Sequence, residues 1–244
     1  SISVQGGARF GAWMKNNEAL TIDGGSTISG TGTLLIDNPN PFDKSKTYSG
    51  ATVLRNVSIS GLDGISVERG ALQLGLGYAN AALPVTLKLS SKLIDRGDAV
   101  TVGHLTMNES SSLVLCLKGG SLDIAGTLTK NTTSGKIAID IADQEIEPLT
   151  STNAWRILSA ENLGTEGGLT VDDFTVSVAG ASDMVRYHIE NGTLSIESDN
   201  GKNYLVYTSP RKSVVLTGSD AGGNGATGSS FLNSGRWSDL QKPH

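Results

Sequence analysis

Short runs of alternating apolar and polar residues, each ended by Gly, Asn, Asp or Ser, follow one another along most of this chain. They include Leu20-Thr21-Ile22-Asp23, Thr33-Leu34-Leu35-Ile36, Val57-Ser58-Ile59-Ser60, Ile65-Ser66-Val67-Glu68 and Ala71-Leu72-Gln73-Leu74. Val85-Thr86-Leu87-Lys88-Leu89, Leu113-Val114-Leu115-Cys116-Leu117 and Lys136-Ile137-Ala138-Ile139-Asp140-Ile141 continue the series. Runs of this length, rich in Val, Ile, Leu and Thr, read as β-strands. No segment sustains apolar residues at i, i+3, i+4, i+7, so helical crossovers are not expected. The 31 glycines among 244 residues serve mainly as breaks between strands.

Short strands without helices suit a sandwich, a barrel or a β-solenoid. Two internal similarities favour the solenoid. Ile2 to Phe10 resembles Ile65 to Leu74, 63 residues further on, and Gly24 to Thr31 resembles Gly119 to Thr127, 95 residues further on. Both offsets lie near multiples of a coil of roughly 20–25 residues. A solenoid interior is narrow and lined by stacked aliphatic side chains. That geometry agrees with an aromatic content of only 5%. The fold class expected is therefore all-β, a right-handed parallel β-helix followed by an antiparallel β cap.

The pattern changes after residue 142. Asp143-Gln144-Glu145-Ile146-Glu147-Pro148 reads as a boundary. Met184 to Glu190, Thr193 to Glu197 and Lys202 to Tyr207 alternate, with Asn191-Gly192 and Asn200-Gly201 between them. Asn-Gly favours the type I′ turn, so a three-stranded antiparallel meander is expected here. Its inferred role is to close the exposed strand edges of the solenoid. The organisation expected is 1–142 parallel β-helix, 143–217 antiparallel cap, and 218–244 a Gly/Ser-rich linker with the start of a following module, hinted at by Phe231, Trp237 and Pro243. The chain opens on Ser1 without Met and reads as a piece of a longer protein.

Leu20 to Leu34 and Gly119 to Leu128, with Tyr187 to Tyr207 and Phe231 to Asp239, resemble the autotransporter-associated β-strand repeat proteins. These are bacterial surface passengers built as right-handed parallel β-helices. The resemblance is compositional and carries no catalytic residue. It implies export to the cell surface or beyond; the short Gly-bounded strands, the weak repeats and the lack of a catalytic constellation point to adhesion, glycan contact or display as the use. The partners expected for such a use are host or mucosal glycans or surface proteins.

Composition narrows the chemistry further. With 19 basic and 24 acidic residues the net charge is −5, which opposes nucleic-acid binding. No apolar run approaches the roughly 20 residues of a membrane span. Cys116 is the single cysteine and, between Leu115 and Leu117, reads as a small core residue. His104 reads as a turn or edge residue, and His188 as an exposed residue on a strand. Neither has a partner at zinc spacing, so no metal or cofactor is expected.

Asp140, Asp143, Glu145 and Glu147 form the densest acidic cluster. It reads as a solvated boundary loop rather than a Ca²⁺ site, because the spacing departs from that of an EF-hand. Asp37, Asp63, Asp95 and Asp98 lie in turn-like contexts. Asp172-Asp173 reads as facing opposite sides of a strand or capping its start. No pair is spaced to flank one glycosidic bond, so no catalytic residue is assigned. A polysaccharide-active β-helix enzyme is the alternative. Trp13, Trp155 and Trp237 are candidate sugar-stacking platforms. Asn56, Asn108, Asn131 and Asn191 stand in Asn-X-Ser/Thr sequences.

Overall fold

The computed structural model describes residues 1–5, 8–10, 18–38, 50–88, 90–131, 135–144 and 153–209. These residues are predominantly β and form mainly parallel sheets. The chain runs through β1 (Ile2–Gln5), β2 (Ala8–Phe10) and β3 (Ala19–Ile22), which open three different sheets. It then adds β4 (Thr27–Thr31), β5 (Thr33–Asp37) and β6 (Ala51–Leu54) to the same three sheets in the same order. β7 (Ser58–Ser60), β8 (Gly64–Arg69) and β9 (Ala71–Leu74) repeat the circuit.

The fourth circuit is shorter. β10 (Val85–Leu87) and β11 (Lys92–Asp95) extend the second and third sheets, while the first sheet ends at β7. Asn80 spans the gap it leaves. Its side chain donates to the Ile59 carbonyl, and its backbone N–H donates to the Thr101 carbonyl. A fourth sheet begins there with β12 (Thr101–Val102) and β15 (Leu122–Ile124). β13 (Leu105–Asn108), β14 (Ser112–Leu115), β16 (Leu128–Asn131) and β17 (Ile137–Ile141) continue the second and third sheets.

The register explains why alternation in the sequence becomes burial. Leu34, Ile65, Val85, Leu105 and Leu128 are paired in succession across the second sheet, and none is more than 1% exposed. Thr52, Leu72, Leu93, Leu113 and Ile139 form the matching row in the third sheet. Each fully buried aliphatic side chain contributes about 1.5–3 kcal/mol relative to exposure. From Ile65 to Val85 and from Val85 to Leu105 the step is 20 residues, and to Leu128 it is 23.

Of the two internal similarities, the first does not mark equivalent places. Ile2 lies in the first sheet and Ile65 in the second, so the 63-residue offset is a likeness of strand composition. The second marks the same step of a circuit but not the same sheet: Ser26 and Ser121 each lead into the strand that opens a circuit, β4 in the first sheet and β15 in the fourth.

One corner is set by backbone conformation. After the third-sheet strands, Asn56, Gly77, Gly97 and Gly119 all take positive φ. At Gly97 an added Cβ would lie 2.0 Å from the Lys118 carbonyl oxygen. At Gly97 the corner therefore needs glycine for the approach of the next circuit, whereas Asn56 holds the left-handed conformation with a side chain at the earlier corner.

Parallel order continues past Ala142, where the sequence places the change. β18 (Asn153–Ser159) pairs parallel with β15, and β19 (Phe174–Ser177) parallel with β17. Between them Asn162 stands against the edge of the second sheet. Its Nδ2 donates to the Leu128 carbonyl at 2.9 Å and its Oδ1 accepts the Leu128 N–H at 3.0 Å. Lys130 occupies the inward register position after Met107 and pairs with Asp173 at 2.5 Å.

The expected meander is corrected at its first strand. Met184 to Glu190 is not extended: Asp183–Ile189 forms a short helix, α1. Ser182 caps it by accepting the Val185 N–H, and Val185 and Ile189, four residues apart, are both buried. An alternating run becomes helical because that i, i+4 pair supplies the buried face and Ser182 the cap. Asn191 has the left-handed conformation, with φ 62°, just beyond the helix, so its Asn-Gly pair ends a helix rather than turning a hairpin. The second Asn-Gly behaves as expected. Asn200 and Gly201 both have positive φ between β20 (Thr193–Asp199) and β21 (Lys202–Ser209). β21 pairs antiparallel with both β20 and β18. The stretch 218–244 lies outside the described residues.

Candidate functional site

The acidic residues singled out in the sequence have separate structural tasks. Asp37 ends β5 rather than sitting in a turn. It is 4% exposed, and Arg69 of the neighbouring strand donates to it through Nε at 2.7 Å and Nη2 at 3.1 Å. That bond raises the Arg69 guanidinium further above its ordinary pKa. Asp95 ends β11 and points inward, in the row after Leu54 and Leu74. Its Oδ1 accepts the N–H groups of Gly97 and Asp98 at 2.9 and 3.0 Å. Burial outweighs those bonds and raises its pKa. Asp173 belongs to a 3-10 turn, Val171–Asp173, rather than a strand, and is held by Lys130 and the Thr170 N–H, which lower its pKa.

Asp143 corrects the solvated-loop reading. It is 3% exposed, and its carboxylate accepts the Leu117 and Lys118 N–H groups at 2.7 and 3.1 Å. Asp140 lies on β17, half-buried, and accepts the Gly180 N–H. Glu145 and Glu147 lie outside the described residues. Among the described residues no group of three or more His, Cys, Asp and Glu is placed to hold a metal ion.

His104 is exposed and ties two circuits together, its Nδ1 accepting the Thr127 N–H at 3.0 Å. His188 lies on α1, not on a strand, with its ring edge-on to Tyr187. Cys116 is half-exposed while Leu115 and Leu117 face the core, so it is not the core residue expected. Burial, then Asp143 nearby, pushes its thiol up to about 11, which keeps it protonated and unreactive at neutral pH. Trp155 packs its ring against the core, which leaves it poorly placed as a stacking platform. Trp13 and Trp237 lie outside the described residues. Of the Asn-X-Ser/Thr asparagines, Asn56 donates to Asp23, and Asn108 donates to the Leu87 carbonyl while accepting from Asn131.

Two of the concave surfaces lie on the outer faces of the second and third sheets. The second sheet carries a hydroxyl row, Ser66, Thr86, Thr106 and Thr129, in successive register. Beside it a groove of about 350 Å³ is lined by Asp63, Ser66, Glu68, Pro84, Thr86 and Lys88, among others, with Ser66 Oγ donating to Glu68. A larger groove of about 470 Å³ crosses the third sheet. Ala71, Ile94 and Val114 are apolar in its lining, and Lys92, Arg96 and Asp140 are charged. Both volumes fall in the range of small-ligand sites, roughly 300–1,000 Å³, though the grooves are shallow.

Sequence reading did not reach the groove residues Lys92, Arg96 and Gln144. Lys92, Ile94 and Arg96 alternate and so share one face. Which other circuits flank that face depends on register.

No protein-family model matches the chain, and neither the curated proteins nor the solved structures give a match. No helix among the described residues is long and apolar enough to cross a membrane.

Proposed function

We propose that this chain is a non-catalytic, extracellular β-solenoid module of a bacterial surface passenger, a right-handed parallel β-helix that displays its outer faces for adhesion or glycan contact. The observation that carries the reading is the repeated return of the chain to the same sheets in fixed order. It stacks outward hydroxyl rows and shallow grooves over a continuous aliphatic interior. Asp37, Asp143 and Asp173 are occupied in holding circuits together and Asp95 in closing its own corner, which leaves them poorly placed for bond cleavage. The resemblance to autotransporter-associated repeat proteins supports the surface setting. Glycan-array and host-cell binding by the purified chain tests it. Saturable binding is expected; none at high concentration overturns the adhesive use and leaves display alone.

A second reading rests on Asp63 and Glu68, two carboxylates beside Lys88 in the smaller groove. Under it the chain cleaves polysaccharide. Incubation with polyuronides and mucin glycans then releases reducing ends, and Asp63→Asn or Glu68→Gln abolishes the release. No release from the parent chain sinks this reading.

A further inference from the structure

Most cations described in this acidic chain are already neutralised. Arg55, Arg69, Lys130, Arg156, Arg186 and Lys202 pair with Asp23, Asp37, Asp173, Asp199, Asp183 and Asp123. Lys118 and Lys136 stand singly without a carboxylate within 4.0 Å among the described residues, and so, close together, do Lys88, Lys92 and Arg96. These last three lie on the short fourth circuit: Lys88 directly follows β10, Lys92 opens β11 and Arg96 stands in the corner after it. Lys92 and Arg96 both line the larger groove, with Ile94 between them on the same outward face. At about 3.3 Å per residue their backbones stand about 13 Å apart. Two unpaired cations at that distance, joined by an apolar strip, suit a ligand with anions on separate units better than one small anion.

The rest of the groove narrows the chemistry. Ile94 and Val114 offer an apolar strip, and Ser112 lies between Lys92 and Ala138 in the register. Asp140 uses Oδ1 for the Gly180 N–H and keeps a carboxylate oxygen for a hydroxyl donor. An anion, hydroxyls and an apolar C–H face occur together in a sugar acid. A nucleic acid would meet no stacking aromatic among the residues lining this groove.

Resting on the glycan-contact reading above, we infer that this groove binds an acidic oligosaccharide. Lys92 and Arg96 hold carboxylates or sulfates on separate sugar units, while Ile94 and Val114 pack against ring C–H faces.

The test measures binding of the whole chain to oligogalacturonate and to a chondroitin sulfate oligosaccharide, with dextran and single-stranded DNA alongside. Saturable binding of an acidic glycan is expected, weakening as salt rises. Lys92→Gln with Arg96→Gln weakens it by roughly tenfold or more, while Lys118→Gln with Lys136→Gln, which removes equal charge elsewhere, changes it less than about twofold. Equal loss in the two double variants overturns the groove assignment and leaves glycan contact standing. So does unchanged binding in the first double variant. DNA binding as tight as glycan binding overturns the assignment in favour of unspecific anion attraction. If no glycan of any kind binds the parent chain, both the groove and the glycan-contact reading fail.

Discussion

At single positions the structure shows where an otherwise apolar interior departs from its pattern. Thr52 takes an inward place before Leu72 in the third-sheet row, fully buried, and its hydroxyl has no partner. An unmade buried hydrogen bond costs on the order of 1 kcal/mol or more. Thr52→Val is therefore expected to raise stability by about 1 kcal/mol in chemical denaturation; a loss would show that the hydroxyl is satisfied in solution. Asp95 is the titratable departure. Its folded pKa lies above the ordinary 3.8, so the folded chain binds the proton more tightly than the unfolded chain does. Stability from this group is fully present below 3.8 and is lost as pH rises through the folded pKa. Asp95→Asn keeps the oxygen that accepts from Gly97 and Asp98 and removes the charge. Its stability relative to the parent should rise with pH across that window and level off above it. A pH-independent difference would refute the assignment.

Elements show what a sequence of this kind makes legible. Strand runs such as Leu113 to Leu117 and Ile137 to Ile141 were readable because alternation records which side chains face inward. The hairpin at Asn200-Gly201 was readable from turn chemistry. Alternation alone could not separate Met184 to Glu190 from a strand, because Val185 and Ile189 serve either period; Ser182 was the available helix signal. The groove was not legible, because its lining comes from neighbouring circuits and register is a long-range property. Edge closure at Asn162 was equally invisible, since a side chain there substitutes for backbone pairing. Asn162→Ala removes both bonds to Leu128. The expected result is a loss of about 1 kcal/mol and faster amide exchange at Leu128 than at Leu105, read by hydrogen exchange. Unchanged protection at Leu128 would show that water replaces the side chain without cost.

Across the whole molecule, each circuit pairs only with those beside it, so stability is expected to be a sum of local and neighbour contributions. The Lys130–Asp173 pair joins the last inward row to the turn beyond it. The ion pair with Lys130 is the main cause of the lowered Asp173 pKa, so its contribution is present above 3.8 and fades as pH falls through the folded value. Acid should therefore weaken the junction beside β19, and Lys130→Met should reduce that acid dependence to the part that the Thr170 bonds leave. Proteolysis near Asp173 as a function of pH, in parent and variant, measures it; identical profiles would exclude the pair as the cause.

The strand order at the far end carries a mechanical consequence. β21 is the last described strand yet lies between β18 and β20, whereas among the described residues β1 pairs with β4 alone. Tension applied beyond Ser209 loads two ladders together, while tension at Ile2 loads one. A single molecule stretched between its ends should lengthen first by shedding circuits from β1 onward, in small steps, and yield last at the β18–β21–β20 clasp. Stepwise extension that begins at the clasp would contradict this order. If the chain is tethered through its C-terminal side, the clasp places the stronger grip nearest the tether and leaves the weaker end to give way under load.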